Sequence, residues 1–451
     1  MSDVTQKEPR RRSAGDGEAM DTNGHECDFL EKLLDEAEVE WVALGEVTIP
    51  SSNIKWGITN RAYRYIDLTS VDILTRSIIG TTEVVESNAP SRAQKLIEKD
   101  DVIFATTRPT QMRFCLIDDE YAGEVASTGY CILRADQGTV LPKWILHWVS
   151  SSTFKTYLEE QQSGSAYPAI SDAKVKAFQI PIPCPENPEK SLAIQAEIVG
   201  ILDTFTELTT ELTTELTTEL TARKKQYNYY RDQLLTFEDG DACLSGRQVE
   251  WKPLGEVGEL VRGNGLPKTD FTETGIPAIH YGQIYTYYGL STKITKSFVS
   301  SETAGKLRKV NCGDVVLTNT SENLEDVGKA LVYLGEKQAV FGGHATVFRP
   351  SGAILGMYLA YFTQTKTFTA AKRKYSKGTK VIDVSATDMA KIKIPVPSLA
   401  EQARIVAILD KFDTLTHSIS EGLPREIELR QKQYEYYRDL LLNFPKPSHK
   451  E

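Results

Sequence analysis

Apolar residues fall at Ile198, Ile201, Phe205, Leu208, Leu212, Leu216, Leu220, Tyr227, Tyr230 and Leu234. Steps of three, four and seven put them on one face of a helix. Adding 207 to each number gives Ile405, Ile408, Phe412, Leu415, Ile419, Leu423, Ile427, Tyr434, Tyr437 and Leu441, again all apolar. The pattern predicts two long helices of equal length, the first over about residues 192–236 and ~67 Å long. Matching seams predict that they pack on each other as a coiled-coil-like pair. Inside the first stripe, Thr-Thr-Glu-Leu occurs at 209–212, 213–216 and 217–220. Threonine is a mediocre helix former, so this segment needs a partner. Leu415, Ile419, Leu423 and Ile427 keep the same four-residue steps without sequence repetition, which favours a repeat matched to its partner over slippage in a linker. Gly422 and Pro424 predict a kink or a broken hydrogen bond in the second helix.

Outside the stripes the period shortens. β-Branched runs at Val102–Ala105, Val315–Thr318 and 345–348, punctuated by Gly and Pro, predict α/β or α+β domains with several short strands.

Four sequence blocks occur twice in the same order. EWVALGEV at 40–47 recurs as EWKPLGEV at 250–257, and IPIP at 180–183 as IPVP at 394–397. QAEIVGILD at 195–203 recurs as QARIVAILD at 402–410, and KQYNYYRD at 225–232 as KQYEYYRD at 432–439. The chain is a tandem duplication with a unit of about 210 residues. Between the blocks, 48–179 and 258–393 share only fragments: DVI at 101–103 with DVV at 314–316, and Gly164, Ile170, Ser171 with Gly378, Val384, Ser385. Two modules share a frame and differ in content.

Composition narrows the function. No apolar stretch of the 451 residues reaches the ~18 needed to span a membrane, and the N-terminus has no secretory signal. Cys27, Cys115, Cys131, Cys184, Cys243 and Cys312 are scattered, and are read as reduced packing residues of a cytoplasmic protein. Of six dispersed histidines only His344, in Gly342-Gly343-His344, is singled out, with a loop or core histidine the favoured reading. A P-loop, a G-x-S-x-G elbow, an H-E-x-x-H motif and the Asn-Pro-Pro or Asp-Pro-Pro of amino-methyltransferases are all missing. Asp383 and Asp388 before Lys391 and Lys393 faintly suggest a nuclease cluster, but a solvated strand edge explains them better. The net charge of −10 argues at first against nucleic acid. It divides into −7 for residues 1–40, −3 for 41–190, −6 for 191–250, +7 for 251–398 and −1 for 399–451. Acidity sits in the leader and the first helix, while the second module is basic.

Two diverged modules and two duplicated helices resemble the specificity subunit of a type I restriction–modification enzyme. The paired W-x-x-L-G-E-V starts, I-P-[IV]-P ends, Q-A-x-I-V-x-I-L-D openings and K-Q-Y-x-Y-Y-R-D closings carry the resemblance over about residues 28–447. The Thr-Thr-Glu-Leu run resembles the tetrapeptide central repeat of one subclass. The resemblance implies an α+β chain, two α/β target recognition domains separated by the antiparallel helices, in a pseudo-two-fold tandem repeat. The expected division is a disordered leader 1–27, recognition domain 28–190, central helix 191–237, linker 238–249, recognition domain 250–398, C-terminal helix 399–444 and tail 445–451.

The resemblance further implies that each module reads one half of a bipartite, asymmetric sequence in double-stranded DNA, while the helices fix the spacer and dock two methyltransferase subunits. Those partners would bind S-adenosylmethionine and methylate adenine at N6. A restriction/translocase subunit using ATP and Mg would join them. The chain itself would be non-catalytic and hold no cofactor, in the bacterial cytoplasm. The competing readings are a coiled-coil scaffold without DNA recognition and a single-chain DNA-modifying enzyme.

Residue types suggest where DNA is touched. Lys372, Arg373, Lys374, Lys377 and Lys380 crowd one stretch with Lys366, which suits a backbone grip. Thr318, Asn319 and Ser321 follow a strand and offer short polar groups to base edges. At the matching place in the first module stand Thr107, Arg108 and Arg113, with Arg108 the preferred guanine reader. Arg61, Arg64 and Tyr167 are secondary candidates. Tyr281, Tyr285, Tyr287 and Tyr288 are read as partly core. Tyr229, Tyr230, Tyr436 and Tyr437 are read as packing between helices or against a methyltransferase.

Overall fold

The computed structural model describes residues 28–34, 37–237, 249–418 and 421–446. The leader 1–27, Cys27, Cys243, Ile419 and nearly all of the linker lie outside the described residues. The chain divides into two compact units that cut across the repeat. The first takes the described residues up to Leu212 together with those from Arg430 onward, and the second takes those from Thr213 to Leu429.

The duplicated blocks explain how each module is closed. Val39–Ala43 pairs antiparallel with Gln179–Pro183, Trp41 opposite Pro181; Glu250–Pro253 pairs in the same way with Lys393–Val396, Trp251 opposite Pro395. The first and second blocks are thus neighbouring strands of a two-stranded ribbon, where proline is tolerated because an edge N–H is not needed. The Leu-Gly next in sequence is bonded across the same gap: Gly45 N to Lys176 O at 2.8 Å, Gly255 N to Ala390 O at 2.9 Å.

Each module holds two sheets of more than two strands. In the first they are ordered Thr48–Ile49, Tyr130–Ala135, Val102–Ala105, Phe114–Leu116, and Thr82–Val84, Tyr63–Ile66, Val125–Ser127, Ala93–Leu96. In the second each has five strands, and Val315–Thr318 lies between Ala345–Pro350 and Ala330–Tyr333. Val102–Ala105 is buried along its whole length. Val102 and Phe104 join a core with Trp144, Trp148 and Phe154, while Ile103 and Ala105 join another with Ile66 and Tyr130. Val315 and Leu317 likewise face Tyr358 and Phe362, and Val316 faces Ile279 and Phe341. A strand covered on both faces reads as an unbroken apolar run, which is how both appear in the sequence.

The first long helix is continuous over Pro188–Leu235. Asn187 Oδ1 accepts from Lys190 N at 3.0 Å, and Pro188 starts the helix where its missing N–H costs nothing. Within the threonine run, the Thr217, Thr218 and Thr221 hydroxyls donate to carbonyls four residues back at 2.7–2.9 Å. Those polar groups are satisfied by the helix itself. The second helix is broken, as Gly422 and Pro424 predict, into Leu399–His417 and Leu423–Leu441. Gly422 has φ +83°, and a Cβ there would run into Thr414 O.

The stripe is not buried evenly. Ile198 and Ile405 enter the module cores, but there the next residues, Leu202 and Leu409, are buried in place of the expected Ile201 and Ile408, which are half-buried; Phe205 and Leu208 are exposed and Leu212, Leu216 and Leu220 are half-buried. The helix pairing is antiparallel within each unit: Phe205 meets Tyr437 in the first and Tyr230 meets Phe412 in the second.

Candidate nucleic-acid interface

In both modules the backbone leaving the doubly covered strand meets a glycine turn. Ile170 N donates to Thr106 O, and Val384 N to Asn319 O, each at 2.9 Å. Thr107 bridges Ala169, while Thr320–Ser321 pairs with Ile382–Asp383. Gly164 and Gly378 make the turn with φ +94° and +99°, and a Cβ would meet Tyr167 O at 2.9 Å in one and Val381 O in the other. Only glycine tolerates both demands. The tips they hold out are Tyr167, 73% exposed, and Val381, 58% exposed.

In the first module the structure brings Arg108 and Tyr167 together. Arg108 N donates to Pro168 O at 2.7 Å, its φ is +50°, and its exposed guanidinium lies 5.7 Å from the Tyr167 ring centroid. Arg113 is half-buried and donates to Val71 O, so it braces a neighbouring loop. Arg61 and Arg64 are held in place by acids. Arg61 lies over Tyr63 at 3.8 Å and 3.7 Å from Glu124; Arg64 bonds Glu120 at 3.0 Å and approaches Glu124 at 3.5 Å. Their charge is largely compensated locally, which weakens them as phosphate contacts.

In the second module three of the expected contact residues are internal fasteners. Thr318 and Asn319 are fully buried. The Thr318 hydroxyl donates to Asp326 O at 2.7 Å; Asn319 donates to Val384 O at 2.7 Å and accepts from Thr346 at 2.9 Å. Lys372, 3% exposed, donates to Glu325 O at 2.9 Å and to Val327 O. These groups are buried, bonded inward and withdrawn from base edges, and the Lys372 expectation fails because it sits one turn after buried Phe368 on the inner face of Lys366–Arg373. Ser321 is half-buried beside the turn, Lys377 pairs with Asp388 at 3.3 Å, and Arg373, Lys374 and Lys380 are exposed. Asp388 also takes Lys391 at 2.8 Å, and hydrogen bonds from Lys391, Ser385 and Lys377 hold it at about 2. A carboxylate held there is a poor base. Asp383 instead lies 3.9 Å from Arg262. Among the described residues no group of three or more His, Cys, Asp or Glu side chains is placed to hold a metal ion.

The four tyrosines divide into two kinds. Tyr229 and Tyr230 meet edge to face at 5.4 Å and 72°, and Tyr436 and Tyr437 repeat both values. Tyr230 and Tyr437 pack against the opposing helix, while Tyr229 and Tyr436 stay 58% and 53% exposed.

Other duplicated contacts tie the helix block to its module, some with the same residue types and some with a changed donor. Gln195 and Gln402, both fully buried, accept from Leu141 N and Leu355 N at 3.0 and 2.9 Å and donate to Thr139 O and Ala353 O at 3.0 Å. Asp203 receives His147 at 2.9 Å and Lys143 at 2.6 Å, whereas Asp410 receives the Tyr361 hydroxyl at 2.6 Å. Burial pushes the Asp203 carboxyl up, but the bonds from His147 and Lys143 outweigh it and hold it below its ordinary value.

A family model described as "Type I restriction modification DNA specificity domain" matches the chain twice, at residues 38–222 and 247–429. The chain is 38% identical to the type I restriction enzyme EcoR124I/EcoR124II specificity subunit of Escherichia coli, over 94% of this chain and 98% of that one. It is 30% identical to a putative type I restriction enzyme specificity subunit of Haemophilus influenzae, over 92% and 98%. Its fold is similar to a chain solved in work on complex assembly and conformational transition of the type I R-M system, with TM-score 0.66, 23% identity and coverage of 90% and 97%.

Proposed function

The chain belongs to the type I restriction–modification DNA specificity family, and on that premise we propose that its two modules read the two halves of a bipartite, asymmetric target in double-stranded DNA. One observation carries this reading. The strand end and glycine turn recur in both modules with the same backbone bonds, yet they hold out Arg108 and Tyr167 in one, and Val381 beside a half-buried Ser321 in the other. A shared frame with different exposed groups is what two unlike half-sites require.

The second module supplies an exposed cationic stretch, Arg373, Lys374, Lys377 and Lys380, for phosphates. The Thr-Thr-Glu-Leu run sets the spacer length, and Tyr229 and Tyr436 form two like docking points for two copies of a methyltransferase subunit. The chain supplies specificity. S-adenosylmethionine and adenine-N6 chemistry belong to that partner, and ATP- and Mg-dependent restriction belongs to a translocase subunit.

The test is to map methylated adenines across the genome of a bacterium carrying the complete system. Methylation at one bipartite motif with unlike halves is expected. Methylation by the isolated chain without partners would favour a self-sufficient enzyme, and the lack of any salt-dependent duplex affinity would favour a scaffold.

A further inference from the structure

The Gly342-Gly343-His344 turn plays no part in the interface above. His344 ends the turn between Ala339–Phe341 and Ala345–Pro350, and its ring is exposed. Three other segments nevertheless fix it. Its carbonyl accepts from Asn319 N at 2.9 Å, and its Nδ1 lies 3.1 Å from Thr320 Oγ1. The ring rests against Tyr281 with centroids 4.9 Å apart. Tyr281 is itself packed on His280 at 4.6 Å and Tyr285 at 6.2 Å, and the Tyr285 hydroxyl donates to Thr320 O at 2.5 Å. Behind the turn, a Cβ on Gly343 would lie 3.1 Å from Asn264 backbone atoms, so this stretch has little room to shift.

Holding an exposed side chain in one orientation costs rotamer entropy and buries little in return. Such an arrangement has value where a group must be preorganised for a ligand. With Nδ1 engaged by Thr320, the imidazole presents one polar atom, Nε2, to the outside. A single directed group of that kind suits the edge of a base.

The first module offers the matching position. Thr106 N donates to Gly129 O at 2.8 Å, as Asn319 N donates to His344 O. Gly129 therefore stands where the second module has His344. Conversely, with DVI at 101–103 aligned on DVV at 314–316, Ser321 stands where the first module has Arg108. At these two matched positions each module carries one long polar side chain, Arg108 on one loop of the pair in the first module and His344 on the other loop in the second.

We propose that His344, positioned by Thr320 and Tyr281, is a specificity-determining residue that contacts a base edge of the second half-site through Nε2. The inference rests on the reading of the chain as a DNA specificity subunit.

The experiment uses the full chain assembled with its methyltransferase partners. Methylation rates are measured on duplexes carrying every single-base change in the target. His344→Ala is expected to lower discrimination at one base pair of the second half-site by on the order of tenfold to a hundredfold. Preferences in the first half-site, spacer preference and thermal midpoint should stay as they are. Thr320→Val, which removes the group holding Nδ1, should weaken discrimination at that same base pair. Unchanged preferences in His344→Ala overturn the proposal. So does a uniform loss over both half-sites with a lowered midpoint, which would mark a structural role. A wild-type complex without sequence preference would instead overturn the reading on which the inference rests, and the inference with it.

Discussion

The ring of Phe205 lies 6.0 Å from that of Tyr437, and Phe412 lies 5.5 Å from Tyr230, with interplanar angles of 38° and 25°. Each residue in one pair is 207 positions from its counterpart in the other. The two contacts are one contact made twice with the partners exchanged. An early position of each helical segment meets a late position of the other, which a duplicated sequence achieves only when the segments run antiparallel. An aromatic pair contributes about 0.5–1.5 kcal/mol beyond its buried area. Phe205→Ala and Phe412→Ala should therefore each lower the thermal midpoint by a few degrees, to similar extents, in circular-dichroism melts. A drop in only one variant would show that the two seams are not equivalent.

Removing one Thr-Thr-Glu-Leu shortens the first helix by ~6 Å and rotates its C-terminal remainder by ~40°. The favoured spacer should shorten by about one or two base pairs of ~3.4 Å, with both half-sites unchanged. Methylation of a library of spacers by the partnered complex decides this, and an unchanged spacer would refute it.

The lysines of the second module should part into two kinds. Lys374→Ala and Lys380→Ala should each reduce the slope of log affinity against log salt by about 1, uniformly over sequences, with little change in the thermal midpoint. Lys372→Ala should instead destabilise the fold by about 1–3 kcal/mol through carbonyls left unpaired. Burial also pushes the Lys372 ammonium down to about 8 from 10.5. The unfolded chain holds that proton more tightly. Stability therefore rises with pH between about 8 and 10.5, and the full penalty applies below pH 8. Urea midpoints from about pH 7.5 to about pH 9.5 should climb in the wild type relative to Lys372→Met, which cannot titrate; parallel curves would contradict the burial of a charged group.

Arg108→Ala should relax one position of the first half-site, by about 1–3 kcal/mol, and leave the second untouched. Gly164→Ala forces a side chain into φ +94° and against Tyr167 O, which displaces Tyr167 from Arg108. The same position should relax, though less. Competition binding with single-base variants checks both.

The frame was legible because duplication left the letters in place: four blocks in one order define both helices and both ribbons. The break after His417 was legible from Gly422 and Pro424. Equivalences inside the modules were not. Trp144 and Tyr358 both donate to the proline carbonyl of the closing strand, at 3.1 Å to Pro181 and 3.2 Å to Pro395. His147 and Tyr361 do the same for the helix carboxylates. A bond kept while its donor changes from indole or imidazole to phenol leaves no repeated letter. Lys372 was misread for the opposite reason, since a run of cations resembles a solvated face whichever member points inward. Asn319 and Thr318 look like readers by type, and only the burial of the strand end shows that they are its fasteners.

The ribbon that closes each module has a consequence for how such chains change. Entry and exit strands are bonded neighbours, ~5 Å apart, so the chain leaves the frame and returns to it at one spot whatever lies between. The intervening stretch of roughly 130 residues forms an insert whose ends are already joined. Exchange of genetic material at the Trp-Leu-Gly and Ile-Pro borders would replace an entire reading surface in one event, while the helices and their seams remain as they were. The two borders are also nearly identical between the halves of this one chain, so the first module could be shuffled into the position of the second.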